Sequence, residues 1–202
     1  RVDRFEVLEH GEFWLSDTPT VPSSTSWGNT IPRICTWAHL RDQRTGRSFY
    51  FYDTHLDHRS PPSQQRSAEM IAQRIDQHPN STDPVILVGD FNAAEDTSTI
   101  RYLKGEIEQA FETTKDPPPS PKLRDTFRVL HPDATNVGTF NGFRGESSRG
   151  KIDYVFMSAG VKVISAEIVH DNNDGRYPSD HFPVTATIIV NHVKPQTGQP
   201  AP

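Results

Sequence analysis

The apolar residues of this 202-residue chain fall into short strand-length runs, interrupted by one clear helical repeat. Residues 5–9 (FEVLE) read as a short strand. From Trp14 to Pro32 the chain is rich in Ser, Thr, Pro, Gly and Asn, which predicts a long loop. Two strand-like runs follow, 33–41 (RICTWAHLR) and 47–55 (RSFYFYDTH), joined by a hairpin-type connection at 42–46. Ser60 before Pro61 suits a helix start, with Ser as cap and Pro in the first turn. Ala68, Ile71, Ala72 and Ile75 then recur at i, i+3, i+4 and i+7, one apolar face of a helix ending near His78.

The continuous run 85–89 (VILVG) has the length and composition of a strand buried on both faces. Residues 98–104 predict a short helix, and the prolines at 117, 118, 119 and 121 an exposed loop. Residues 152–157, 161–169 and 183–190 predict three late strands, and 195–202 (PQTGQPAP) a disordered tail. No internal repeat or linker divides the chain, so one domain is expected over 1–194.

Composition changes this picture little. Charged residues make up 23% and prolines number 17, which favours a loop-rich α/β protein over a helical bundle. The net charge of −5 argues against coating duplex nucleic acid, because polyanion binding depends on Lys and Arg neutralising phosphates. Cys35 is the single cysteine, so no intrachain disulfide forms. No apolar run approaches the roughly 20 residues of a membrane-spanning helix, and no signal peptide is visible. The compartment is not diagnosed.

Four polar clusters stand at the edges of predicted strands or within them. Asp90-Phe91-Asn92 follows the 85–89 run, and in open α/β folds ligands bind where strands end. A carboxylate there can hold a hard cation or a water; an amide offers both a donor and an acceptor to phosphate. The same residues can also merely shape a turn. Asp180-His181 precedes the last strand and can pair a metal ligand with a proton-handling imidazole. His55, Asp57 and His58 lie at the end of another strand, either as ligands or as an ordinary surface loop. Asp153 sits in the apolar run K-I-D-Y-V-F, where a buried carboxylate needs a partner and a histidine is a natural one.

The ordered series T-H-L-D, V-G-D-F-N, K-I-D-Y-V-F and Y-P-S-D-H-F-P-V resembles the endonuclease/exonuclease/phosphatase superfamily, which includes deoxyribonucleases, abasic-site endonucleases, sphingomyelinases, inositol polyphosphate phosphatases and deadenylases. F-W-L-S at 13–16, P-R-I-C-T-W at 32–37 and T-F-N-G-F at 139–143 look most like a bacterial, deadenylase-like subgroup. The resemblance implies an α/β fold of two packed mixed β-sheets flanked by helices, a four-layer sandwich. It implies hydrolysis of a phosphodiester or phosphomonoester by in-line attack of water, with Mg²⁺ or Mn²⁺. By motif, Asp180 and Asp90 would be metal ligands, with Asp90 also positioning the water. His181 would be the catalytic histidine and Asp153 its orienting carboxylate. His55 and Asn92 would contact the scissile phosphate, and Arg33, Asn141 and Arg144 the rest of the substrate.

The expected partner is a phosphorylated small molecule or single-stranded nucleic acid; neither a membrane span nor a stable protein partner is implied. One departure bears on the chemistry. The family pattern opens with a strand carrying an Asn and then a Gln-Glu dipeptide whose Glu binds metal, and no such segment precedes Arg1. The fold is therefore expected to lack its first strands, and Glu69 and Glu95 lie in no matching context. A catalytically incomplete scaffold that binds phosphorylated ligands is the alternative. A calcineurin-like two-metal phosphatase would need a G-N-H-[DE] segment, which is missing.

Overall fold

The computed structural model describes residues 3–80, 82–112 and 115–191. The elements run β1 (Phe5–Trp14), β2 (Ile34–Asp42), β3 (Arg47–His55), α1 (Pro61–Asp76), β4 (Val85–Asp90), α2 (Ser98–Lys104), β5 (Arg124–Asp125), α3 (Thr126–Leu130), β6 (Asp153–Met157), β7 (Val161–Ile168) and β8 (Val184–Val190). They build a six-stranded sheet of order β1-β2-β3-β4-β6-β5 and a two-stranded sheet β7-β8. The sheet is mixed because β3 and β4 are parallel while the other pairs are antiparallel. Parallel neighbours need a crossover, which α1 supplies.

Local chemistry explains the crossover. The Ser60 side chain accepts the N–H of Ser63 at 3.3 Å, and Pro61 occupies a position whose N–H would have no helical partner. Buried Ala68, Ile71 and Ala72 of α1 then pack on one face of the large sheet. The side chains they meet alternate along the strands: Tyr50 and Tyr52 of β3, Val85 and Leu87 of β4, Tyr154 and Phe156 of β6.

The other face presents Phe49, Phe51, Ile86, Val88 and Val155. Ala186, Ile188 and Val190 of β8 come over it and leave an apolar cavity of about 540 Å³. Phe127 of α3 packs with Met157, Val161, Val163 and Ala166 to form a second, smaller core.

The structure extends several expectations and corrects others. β1 continues to Trp14, well beyond residue 9, because it pairs with all of β2 from Phe5–Asp42 to Trp14–Ile34. β5 and α3 carry no strong periodic signal; α3 is five residues long and is held by the Asp125 side chain accepting the N–H of Phe127 at 3.0 Å. The proline loop near 117–121 is only partly exposed, since the Tyr102 hydroxyl donates to the carbonyl of Pro118 at 2.7 Å. Among the described residues no helix is long and apolar enough to cross a membrane. The tail expected at 195–202 lies outside the described residues.

Candidate active site

Three strands present one row of polar side chains at one end of the large sheet. The register sets His55 of β3 opposite Asp90 of β4, and Asp90 opposite Asp153 of β6. Side chains opposite one another point to the same face, here the face that β8 partly covers. Gly89 makes this register possible. Its φ is +142°, and a Cβ there would sit 1.8 Å from the carbonyl oxygen of Thr54. Only glycine fits between β3 and β4 next to Asp90.

His181 comes from the segment before β8. Its Nδ1 donates to Asp153 Oδ2 at 2.8 Å, and its Nε2 stands 3.8 Å from Asp90 Oδ2. His55 Nε2 stands 3.4 Å from that same Asp90 oxygen. An imidazole that donates through Nδ1 to a carboxylate keeps Nε2 for exchange with other groups. Burial by itself would lower the His181 pKa, but the Asp153 hydrogen bond and the charges of Asp153, Asp90 and Asp180 raise it above its ordinary value. His55 is shifted down by burial and by Arg33. Burial raises the Asp90 carboxyl, opposed by the N–H of Asn92.

Asp90, Asp153 and His181 offer ligand atoms within 4.8 Å of one another. Asp153 Oδ2 is committed to His181, and Asp90 Oδ1 accepts the Asn92 N–H at 2.8 Å. Asp90 Oδ2 is therefore the carboxylate oxygen that faces the two imidazoles. Such a donor set fits a hard cation that keeps several of its waters. Asp180 lies next to His181 in sequence but outside this group, with its carboxylate oxygen 3.4 Å from the Ser179 hydroxyl.

Other residues singled out in the sequence have structural duties. Asn92 donates from its side chain to the carbonyl of Leu56 at 3.0 Å, so it fixes the loop that carries Asp90. Asn141 is buried and braces its own loop: its Oδ1 accepts the N–H of Phe143 at 2.7 Å, and its amide donates to the carbonyl of Ser179 at 3.3 Å. Asp57 is buried and its Oδ1 accepts the N–H groups of Arg59 and Ser60 at 2.8 and 2.7 Å, which shapes the turn into α1. Arg33 reaches His58 Nδ1 at 3.2 Å and lines a small pocket beside His55. Arg144 opens onto a separate pocket.

Three further residues of the quoted motifs support the site. The buried Thr139 hydroxyl accepts the N–H groups of Ile152 and Asp153 at 3.0 and 3.1 Å, fixing the start of β6. The Tyr154 hydroxyl lies within hydrogen-bonding distance of the carbonyls of Ala93 and Lys151, which ties the Asp90 loop to β6. Lys151 is fully buried, with Nζ 3.0 Å from Asp125 and 3.5 Å over the Tyr154 ring. Lys151 and Tyr154 belong to K-I-D-Y-V-F and Thr139 to T-F-N-G-F, but nothing local in either motif assigns them a bracing role.

A family model described as the endonuclease/exonuclease/phosphatase family matches residues 13–181. The chain belongs to this family. The mannosyl-6-phosphatase of Bacteroides thetaiotaomicron superposes on it with a TM-score of 0.75 at 31% identity, covering 94% of this chain and 68% of that one. A functionally unknown conserved protein from Enterococcus faecalis superposes with a TM-score of 0.77 at 26% identity, covering 95% and 69%. The human Nocturnin catalytic domain with bound sulfate anion reaches 0.67 at 18% identity, covering 93% and 60%. That likeness shows the fold alone. The chain spans about two thirds of the length of its endonuclease/exonuclease/phosphatase relatives. A search of curated proteins finds no match.

Proposed function

We propose that this protein is a divalent-metal-dependent phosphoesterase whose reacting groups are His55, Asp90 and His181. The observation that carries the proposal is the register row His55–Asp90–Asp153 closed by the 2.8 Å bond from His181 to Asp153. Asp90 Oδ2 orients the attacking water and draws on its proton. His181, protonated and held by Asp153, donates from Nε2 to the charge that builds on phosphorus-bound oxygen. His55 is half exposed beside Asp90 and contacts a phosphoryl oxygen from the other side. Asn92 serves by fixing Asp90. Asp90, with Asp180 beside His181 in the sequence, would hold Mg²⁺ or Mn²⁺, which would supply charge neutralisation on the phosphoryl oxygens.

The substrate side favours a small phosphorylated alcohol. The relative at 31% identity is named a mannosyl-6-phosphatase, and the chain's net charge of −5 opposes wrapping duplex DNA. A second reading, a phosphate-binding scaffold without turnover, is favoured by Asp180 lying outside the group of ligand atoms that Asp90, Asp153 and His181 form. Phosphate release from sugar phosphates, inositol phosphates, single-stranded RNA and duplex DNA, each with Mg²⁺ or Mn²⁺, separates these readings. Metal-dependent release from a sugar phosphate supports the proposal. Salt-sensitive cutting of duplex DNA points to a nuclease instead, and binding without release on every substrate supports the scaffold.

A further inference from the structure

A pocket of about 310 Å³ adjoins the site through Phe140, and it is lined by Phe140, Asn141, Gly142, Arg144, Glu146 and Arg149. Its size lies at the small end for ligand sites. Phe140 links it to the reacting groups, because its ring meets the His181 ring edge-on, with centroids 5.2 Å apart. The loop that forms it is fastened to the same segment as His181: the N–H groups of Asn141 and Gly142 both donate to the carbonyl of Asp180, at 2.7 and 3.0 Å. What fills this pocket is therefore held at a fixed distance from His181.

We propose that the pocket receives the polyhydroxylated alcohol of a sugar phosphate and that Arg144, Glu146 and Arg149 select it. The inference rests on the phosphoesterase reading and names the leaving group for it. Three observations carry it. Among the described residues Arg144, Arg149 and Glu146 form no ion pair, so their donors and acceptor are available. Guanidinium groups only donate and a carboxylate only accepts, whereas each sugar hydroxyl does both. A row of hydroxyls can therefore satisfy this mixed set, while a second phosphate would meet Glu146 as a like charge. The Phe140 ring is unsuited to a nucleobase, because the Arg149 guanidinium lies 5.1 Å over it and the His181 ring stands against it.

Isothermal titration of the 202-residue chain in Mg²⁺ with inorganic phosphate, mannose 6-phosphate and adenosine monophosphate tests this. The sugar phosphate should bind about tenfold more tightly than inorganic phosphate, a gap near 1.4 kcal/mol. Glu146→Gln and Arg149→Gln should each remove most of that gap and leave the affinity for inorganic phosphate unchanged. Equal binding of phosphate and sugar phosphate, or a gap that survives both substitutions, would overturn the pocket assignment and leave the phosphoesterase reading standing. Preference for adenosine monophosphate would overturn it in favour of a base site. Absence of binding by all three, inorganic phosphate included, would overturn both readings together.

Discussion

Replacing Asp153 with Asn removes one charge and keeps the shape of the side chain, so its effect isolates the bond to His181. That bond is 2.8 Å long. Hydrogen bonds to charged groups contribute roughly 1.5–3 kcal/mol. The His181 and Asp153 side chains are 24% and 19% exposed, so solvent screening places this one at the lower end, about 1.5–2 kcal/mol. Relief of repulsion between Asp153 and Asp90 offsets a part of it. For a chain of 202 residues the loss corresponds to a fall in Tm of about 3–8 °C.

The pH dependence has a definite sign. His181 is raised in the folded protein above an unfolded value near 6.5. Its stabilisation is fully present below that unfolded value and is lost as pH rises through the folded one. The deficit of Asp153→Asn should thus be largest at about pH 5–6.5 and narrow at alkaline pH. Thermal unfolding at a series of pH values measures the deficit, and an NMR titration of the His181 imidazole measures the midpoint. An equal deficit at every pH, or a His181 midpoint that does not fall in the variant, would refute the reasoning.

Leu87 is fully buried between the large sheet and α1, and Leu87→Ala should cost about 2–5 kcal/mol in chemical denaturation. Gly89→Ala should disturb the pairing of β3 with β4 beside Asp90, since its Cβ has no room against Thr54; changed amide shifts at Thr54 and Asp90 report this directly. Lys151→Met leaves Asp125 buried without its cation, at a cost of about 3–5 kcal/mol by equilibrium unfolding. Mg²⁺ should bind this chain weakly, because Asp153 Oδ2 is committed to His181 and Asp90 Oδ1 to the Asn92 N–H, which leaves one oxygen on each carboxylate; tight stoichiometric binding by calorimetry would show a ligand outside the set named above.

Much of the site is legible before folding is known. Asp90 follows a run of buried β residues and Asp153 interrupts another, so each must end at or point into a polar place. Their adjacency is not legible, because it comes from the pairing of β4 with β6 across more than sixty intervening residues. Short elements are equally hard to read. β5 and α3 together span seven residues and owe their form to Asp125 and to packing on β6 and β7. Nor does the motif around Asn141 announce the bonds to Phe143 and Ser179 by which this residue ties down the loop beside His181. The cost of burying a lone carboxylate calls only for a partner such as a histidine; that this histidine is His181 is what the family resemblance implies, and the two side chains are hydrogen-bonded at 2.8 Å.

The central claim is that Asp90 and His181 direct water onto phosphorus. Hydrolysis of mannose 6-phosphate in heavy-oxygen water, with Mg²⁺ present, tests it most directly. The account predicts that the heavy oxygen enters the released phosphate and that His181→Ala slows release by about 10²–10⁴-fold. Label found in the sugar hydroxyl, or release that His181→Ala leaves unchanged, would contradict it.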